Sequence, residues 1–246
     1  MAAPTDQMLL LIGSGPGIGV AVASRFIQQH FSRVALIARN PEQLQKDRQT
    51  VLTAAAKANR EVTVQTWQVD IGNLDKLQQA LDEIAQFGTL ECVYFNAARV
   101  GLSPFFEFPI EDLEEDFRVS NLALYVTARW AMPLLSHKQP DLTDWNPSLL
   151  ITNSLLPIDP IPQLFALSMV KAAQANLAKS LEKTFSPLGV HVGLVVVGGM
   201  VSPENEALNP GNIAEQAWGL FAQKPGEWTG QVTVWEDGKI DWGQVI

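Results

Sequence analysis

The sequence predicts an α/β fold: a single doubly wound domain spanning residues 1–246, with a parallel seven-stranded sheet and helices on both faces. Three observations carry that expectation. Short apolar runs alternate with longer segments whose apolar residues recur three and four apart, the signature of βαβ crossovers. No Pro/Gly/Ser-rich linker interrupts the alternation, and no repeat or low-complexity tract appears. The chain is 47% apolar and only 17% charged, against about a quarter charged in ordinary soluble domains, which supplies one large core.

The elements follow in order. Met-Leu-Leu-Leu-Ile over 8–12 reads as a strand buried on both faces. Val20, Ala23, Phe26 and Ile27 set a helix over 18–29, and Val-Ala-Leu-Ile marks a second strand over 33–38. A helix over 41–58 precedes a third strand over 62–69. Leu74, Leu77, Leu81 and Ile84 place a helix over 74–87, before a strand over 90–95. One long helix is expected over 110–135, then a strand over 148–152 and a helix over 162–185. Strands over 190–197 and 231–235, with a helix over 213–221 between them, complete the pattern.

Composition also excludes function classes. The 17 basic and 26 acidic residues give a net charge of −9 and a pI near 4.8, which argues against nucleic acid or an anionic membrane as partner. No uninterrupted apolar stretch is long enough to span a bilayer, and the first residues carry no basic n-region, so a cytoplasmic protein acting on a small molecule is expected. The lone Cys92 has no partner for an internal disulfide and reads as a small buried hydrophobe. No metal site is expected.

The strongest chemical signal is Gly13-Ser14-Gly15-Pro16-Gly17-Ile18-Gly19, placed between a strand and an amphipathic helix. Glycines there let the backbone approach a pyrophosphate at a helix N-terminus, although a tight strand-to-helix turn alone would also use them. The second strand ends Ala38-Arg39-Asn40. An acidic residue at that point would hold a ribose 2′-hydroxyl, whereas a small residue followed by Arg39 leaves room and charge for a 2′-phosphate, favouring NADP(H); the other reading of Arg39 is a solvated loop residue. Asp70, ending the third strand, either accepts from the adenine amino group or caps the next helix.

With these residues in view, the chain resembles the short-chain dehydrogenase/reductase family over nearly its whole length. Gly13, Gly17 and Gly19 have the family's glycine spacing, and Asn96 in Phe95-Asn96-Ala97-Ala98 is similar to its segment after the fourth strand. The resemblance implies a Rossmann fold and a nicotinamide cofactor contacted by Gly13, Ser14, Gly17, Ile18, Gly19, Arg39, Asp70, Asn96, Lys171 and Val201. It also implies roles for Asn121, the asparagine of a proton-relay water; for Ser154, which would bond a substrate carbonyl; and for Lys171, which would grip the nicotinamide ribose. Helices holding Asn121 and Lys171 would pack between subunits in a homodimer or homotetramer. Trp228, Trp235, Trp242, Val245 and Ile246 add either a further apolar contact or closure of the monomer core.

The family's catalytic tyrosine should stand thirteen residues after Ser154 and four before Lys171, and both counts fall on Leu167. Leucine has no proton for a developing alkoxide. Of the two tyrosines, Tyr94 reads as core; Tyr125, one turn beyond Asn121, is either a replacement donor or a helix-packing residue. After the sixth strand, Gly198-Gly199 and Pro203 stand where the family has Pro-Gly and a threonine, and the short segment that follows suggests an open substrate pocket. A cationic C=N acceptor would need no acid and would favour a carboxylate nearby. Asp159 is the acid nearest in sequence to Ser154, though Asp-Pro is also a turn former, and Arg129 faces either the cleft or an ion pair. A fungal branch of the family that lacks the tyrosine and couples imine reduction to a [4+2] cycloaddition is similar. The expected function is therefore NADP(H)-dependent reduction of an imine or iminium, or of another small organic substrate, in secondary metabolism. The alternative is an inactive NADP-binding pseudoenzyme or sensor.

Overall fold

The computed structural model describes residues 6–137, 139 and 144–243. The chain runs β1 (Gln7–Ile12), α1 (Ile18–Gln29), β2 (Arg33–Ala38), α2 (Pro41–Lys57), β3 (Thr63–Gln68), α3 (Leu74–Ile84), β4 (Thr89–Phe95) and α4 (Ile110–Phe117). A π-helical turn (Arg118–Leu122) leads into α5 (Ala123–Leu135). Then come β5 (Ser148–Ser154), α6 (Phe165–Phe185), β6 (His191–Gly198), α7 (Pro210–Phe221), β7 (Gln231–Trp235) and β8 (Ile240–Gly243). The strand order is β3-β2-β1-β4-β5-β6-β7-β8, parallel as far as β7.

Strand periodicity divides the core between the two faces. Met8, Leu10 and Ile12 point with Val93 and Phe95 into the layer formed by α3, α5 and α6. Leu9 and Leu11 point with Cys92 and Tyr94 toward α1, α2 and α7, where Phe26, Phe31 and Phe221 cluster. Cys92 is buried and unpaired, and burial raises its thiol well above the ordinary range. No helix among the described residues is long and apolar enough to cross a membrane.

Two sequence expectations are corrected. The sheet has eight strands, not seven: β8 returns antiparallel to β7 through a turn at Gly238, whose φ of +85° suits glycine, and the Asp237-Gly238 pair was the missed hairpin signal. The long helix over 110–135 is interrupted by the π turn. Asn121, inside that turn, is buried, whereas Tyr125, beyond it on α5, is 53% exposed. Trp228 and Trp235 are engaged within the chain: Trp228 stacks on His191 with ring centroids 5.1 Å apart, and Trp235 donates to Asp241 at 2.9 Å. Trp242 is partly exposed against Gly219, while Val245 and Ile246 lie outside the described residues.

His191 predicts an acid-sensitive fold. Its Nε2 meets the Thr229 carbonyl at 2.9 Å, its buried Nδ1 has no partner among the described residues, and burial lowers its pKa from 6.5 to about 4. Between those values the unfolded chain binds the extra proton and the folded chain does not, so stability falls as pH falls. At about 1.4 kcal/mol per pH unit the whole window is worth about 3 kcal/mol. Urea midpoints for the unmodified chain should therefore drop between pH 7 and pH 4.5, with a flatter profile for His191→Phe; parallel profiles would show that the ring titrates freely.

Candidate active site

The carboxyl ends of β1 and β4 meet where the strand order reverses, the place where doubly wound sheets open a crevice. Gly13 leaves β1 with φ +90°, and a Cβ there would lie 2.6 Å from the Ala97 nitrogen. Gly19 is equally tight, 2.7 Å from the Gly13 carbonyl oxygen. Gly15 and Gly17 have nothing within 4 Å of the same position. Two glycines thus let the loop close against the sheet, and two keep its outer side open. Among the described residues no side chain caps α1; the Val20 amide donates to the Gly15 carbonyl, and the Ile18 and Gly19 amides at the tip are left for an anion.

One cleft of about 370 Å³ runs over this loop and β2, lined by Gly13, Ser14, Arg39, Asp70 and Asn96 among others. Arg39 is exposed there and has no hydrogen-bond or ion-pair partner among the described residues. Ser14 reaches the same wall with its polar groups already used: its N–H bonds Ile37 and its hydroxyl donates to Asp47 at 2.6 Å. Asp47 is almost fully buried and accepts a second bond from Gln43. Asp70 accepts from the Gly72 amide, while the cap of α3 is supplied by Asn73.

A second cleft of about 320 Å³ brings together Gly17, Ile18, Gly19, Asn96, Ser154, Leu167 and Lys171. Asn96 ties its walls, donating to the Gly13 carbonyl at 3.0 Å and accepting from Thr152 Oγ1 at 2.8 Å. The buried Tyr94 hydroxyl lies 3.1 Å from that same Thr152 oxygen. Ser154 Oγ accepts weakly from the Leu156 amide, which leaves its proton free for a ligand. Leu167 is 7% exposed and packs with Leu156, Val170, Ala98, Phe117 and Leu164. The tyrosine's position is thus part of an apolar cluster.

Lys171 is buried, and its Nζ donates to the Thr152 carbonyl at 2.8 Å and to Gln174 Oε1 at 3.0 Å. Burial alone lowers its pKa from 10.5 to about 8. Three expected site residues line neither cleft. Asn121 is buried, with its amide donating to the Val170 carbonyl and its Oδ1 without a partner among the described residues. Asp159 is exposed in a turn closed by its N–H on the Leu155 carbonyl. Val201 packs against the core of the α1 face. Arg129 is exposed, donates to Gln78 and lines neither cleft.

Sequence reasoning missed Asp47, Thr152 and Gln174. Asp47 left a signal: it interrupts the buried stripe Leu44, Val51, Ala55 of α2, where a charge needs a partner. Gln174 left one of the same kind on the buried face of α6.

Comparisons with known proteins agree with this fold. The sequence model of the family described as short chain dehydrogenase matches residues 7–212. An oxidoreductase of Sarocladium schorii, asL5, is 27% identical over 221 residues, covering 89% of this chain and 81% of that one. A short-chain dehydrogenase from Rhodopseudomonas palustris superposes with a TM-score of 0.77 at 21% identity, covering 94% of this chain and 99% of that one. A metagenomic short-chain oxidoreductase in complex with NADP gives 0.77 at 21% identity, covering 94% and 97%.

Proposed function

The chain belongs to the short-chain dehydrogenase family and is an oxidoreductase, and from that premise we propose that it uses NADP(H) to reduce a C=N acceptor, an imine or iminium, in a small organic substrate. The observation that carries the reading is the replacement of the tyrosine acid by the Leu167 cluster while Ser154 and Lys171 keep their places in the same cleft. An alkoxide formed there would lack the family's phenolic donor, whereas the product of C=N reduction is an amine.

The glycine loop and the free amides of α1 fit the pyrophosphate of a dinucleotide, and unpaired Arg39 fits a 2′-phosphate. Lys171 would hold the nicotinamide ribose. When bound, the reduced nicotinamide supplies hydride. Ser154 offers the substrate a hydroxyl donor, and Ala98, Val100, Leu167 and Val197 give it apolar walls. Asp159 has no contact with the reacting atoms in this reading. The reading extends to a substrate that undergoes a coupled [4+2] cycloaddition, seen as a polycyclic product in the same assay.

NADPH oxidation with cyclic imines beside simple ketones tests the proposal. Faster turnover of the imines is expected, and comparable ketone reduction would overturn it. NADPH binding without turnover of either would mark a pseudoenzyme or sensor. Arg39→Ala should narrow the preference for NADPH over NADH by about 1–3 kcal/mol in calorimetric titrations; equal affinities in the unmodified protein would remove the 2′-phosphate assignment. The family habit of association, with Leu122, Tyr125 and Met169 exposed on the helices, gives a homodimer or homotetramer as the expected state. A monomer by light scattering at micromolar concentration would exclude it.

A further inference from the structure

The cleft that holds Ser154 and Leu167 has one cationic wall and no acidic one. Among its lining residues only Lys171 titrates, and no carboxylate lines it. A preformed iminium would face the lysine ammonium with nothing to balance the repulsion; a neutral C=N would face a proton donor. Resting on the C=N reading above, we propose that Lys171, held in place by Gln174, is the proton donor of this site, and that the acceptor it serves is a neutral imine.

The surroundings of Lys171 are built for that task. Two of its three N–H groups are fixed, one by the Thr152 carbonyl and one by Gln174 Oε1, and the third has no partner among the described residues. Gln174 is fully buried on α6, and its own Nε2 donates to the Ser120 carbonyl at 2.9 Å in the π turn. The lysine is therefore linked to that turn by a neutral side chain. Gln174 accepts from the ammonium and adds no charge that would hold the proton back.

Groups facing Lys171 from the packed elements are equally uncharged. The π turn presents Ser120 and Asn121, and β5 presents Thr152, Asn153 and Ser154. From β4 the titratable neighbour is Tyr94, joined through Thr152 and held protonated by burial. Arg99, which lines the neighbouring cleft, is paired with Asp112 and Asp116 of α4. Burial places the lysine pKa at about 8, so it is charged at neutral pH yet gives up its proton at modest cost.

The step balances. The imine carbon takes hydride from the reduced nicotinamide, and the C=N π pair moves to nitrogen. That nitrogen forms an N–H bond with the proton of Lys171 Nζ, whose bonding pair stays on the lysine. Neutral Lys171 then recovers a proton from water. Gln174 acts through Lys171 and is a positioning residue.

The test compares a cyclic imine with its N-methyl iminium, which needs no proton, at saturating NADPH. For the unmodified protein, kcat on the imine should fall above pH about 8, with no such limb for the N-methyl iminium. Lys171→Met removes the ribose contact for both substrates, so the proton role is read from the difference: the loss in kcat should be at least about tenfold larger on the imine than on the iminium. Gln174→Glu, which puts a carboxylate on the ammonium, should move the limb upward. It should also move the Lys171 Nζ titration seen by NMR in the protein without cofactor. Equal losses on both substrates, or a limb that stays at the imine's own pKa in Gln174→Glu, would overturn the proposal while leaving C=N reduction standing. Turnover of neither substrate by the unmodified protein would overturn both.

Discussion

Leu167→Tyr is expected to lower C=N reduction by about tenfold or more and to add little ketone reduction. The position is 7% exposed and enclosed by Leu156, Val170, Ala98, Phe117 and Leu164. A phenol there overpacks a filled cluster, typically at about 1–3 kcal/mol, and an effect of that size on the reacting geometry spans roughly a factor of five to 150 in rate. The lysine that would assist the phenol is already held by Thr152 and Gln174. The check is kcat/KM for cyclic imines and for ketones, with NADPH affinity measured alongside to show that the cradle is intact. Ketone reduction rising to the level of imine reduction would instead identify a ketone reductase that has merely lost its acid, because Ser154 and Lys171 stand ready for one.

The glycine loop gives the second large effect, and it separates folding from binding. Gly13→Ala puts a methyl 2.6 Å from the Ala97 nitrogen in a left-handed backbone conformation. A loss of about 2–5 kcal/mol in stability is expected from denaturant titration, with cofactor binding lost as well. Gly15→Ala meets nothing within 4 Å and lies outside the left-handed region. Its stability should stay within about 0.5 kcal/mol of the unmodified protein. Gly15 nevertheless lines both clefts, so its methyl should cut NADPH affinity by about tenfold or more. Unchanged affinity in Gly15→Ala would show that the dinucleotide does not cross this loop.

Much of this protein was legible in its sequence. Alternating apolar periods set the order of the elements up to β7, because each strand and helix declares its buried face through many side chains whose burial energies add. The Gly13–Gly19 motif located the cradle, and the spacing from Ser154 to Lys171 exposed the leucine between them, since both motifs are local in the chain. Tertiary structure alone decided which polar groups meet. Ser14 finds Asp47 across 33 residues, Asn96 finds the Gly13 carbonyl across 83, and Gln174 reaches Ser120 across 54. It also left Tyr125 exposed while Asn121 is buried, and left Asp159 exposed and outside the lining of the cleft. A hydrogen bond depends on two particular atoms arriving within about 3 Å, and no periodicity in either segment records the other's position. Burial is a sum over a pattern, so the sequence carries it; pairing is a single coincidence in space, so only the folded chain does.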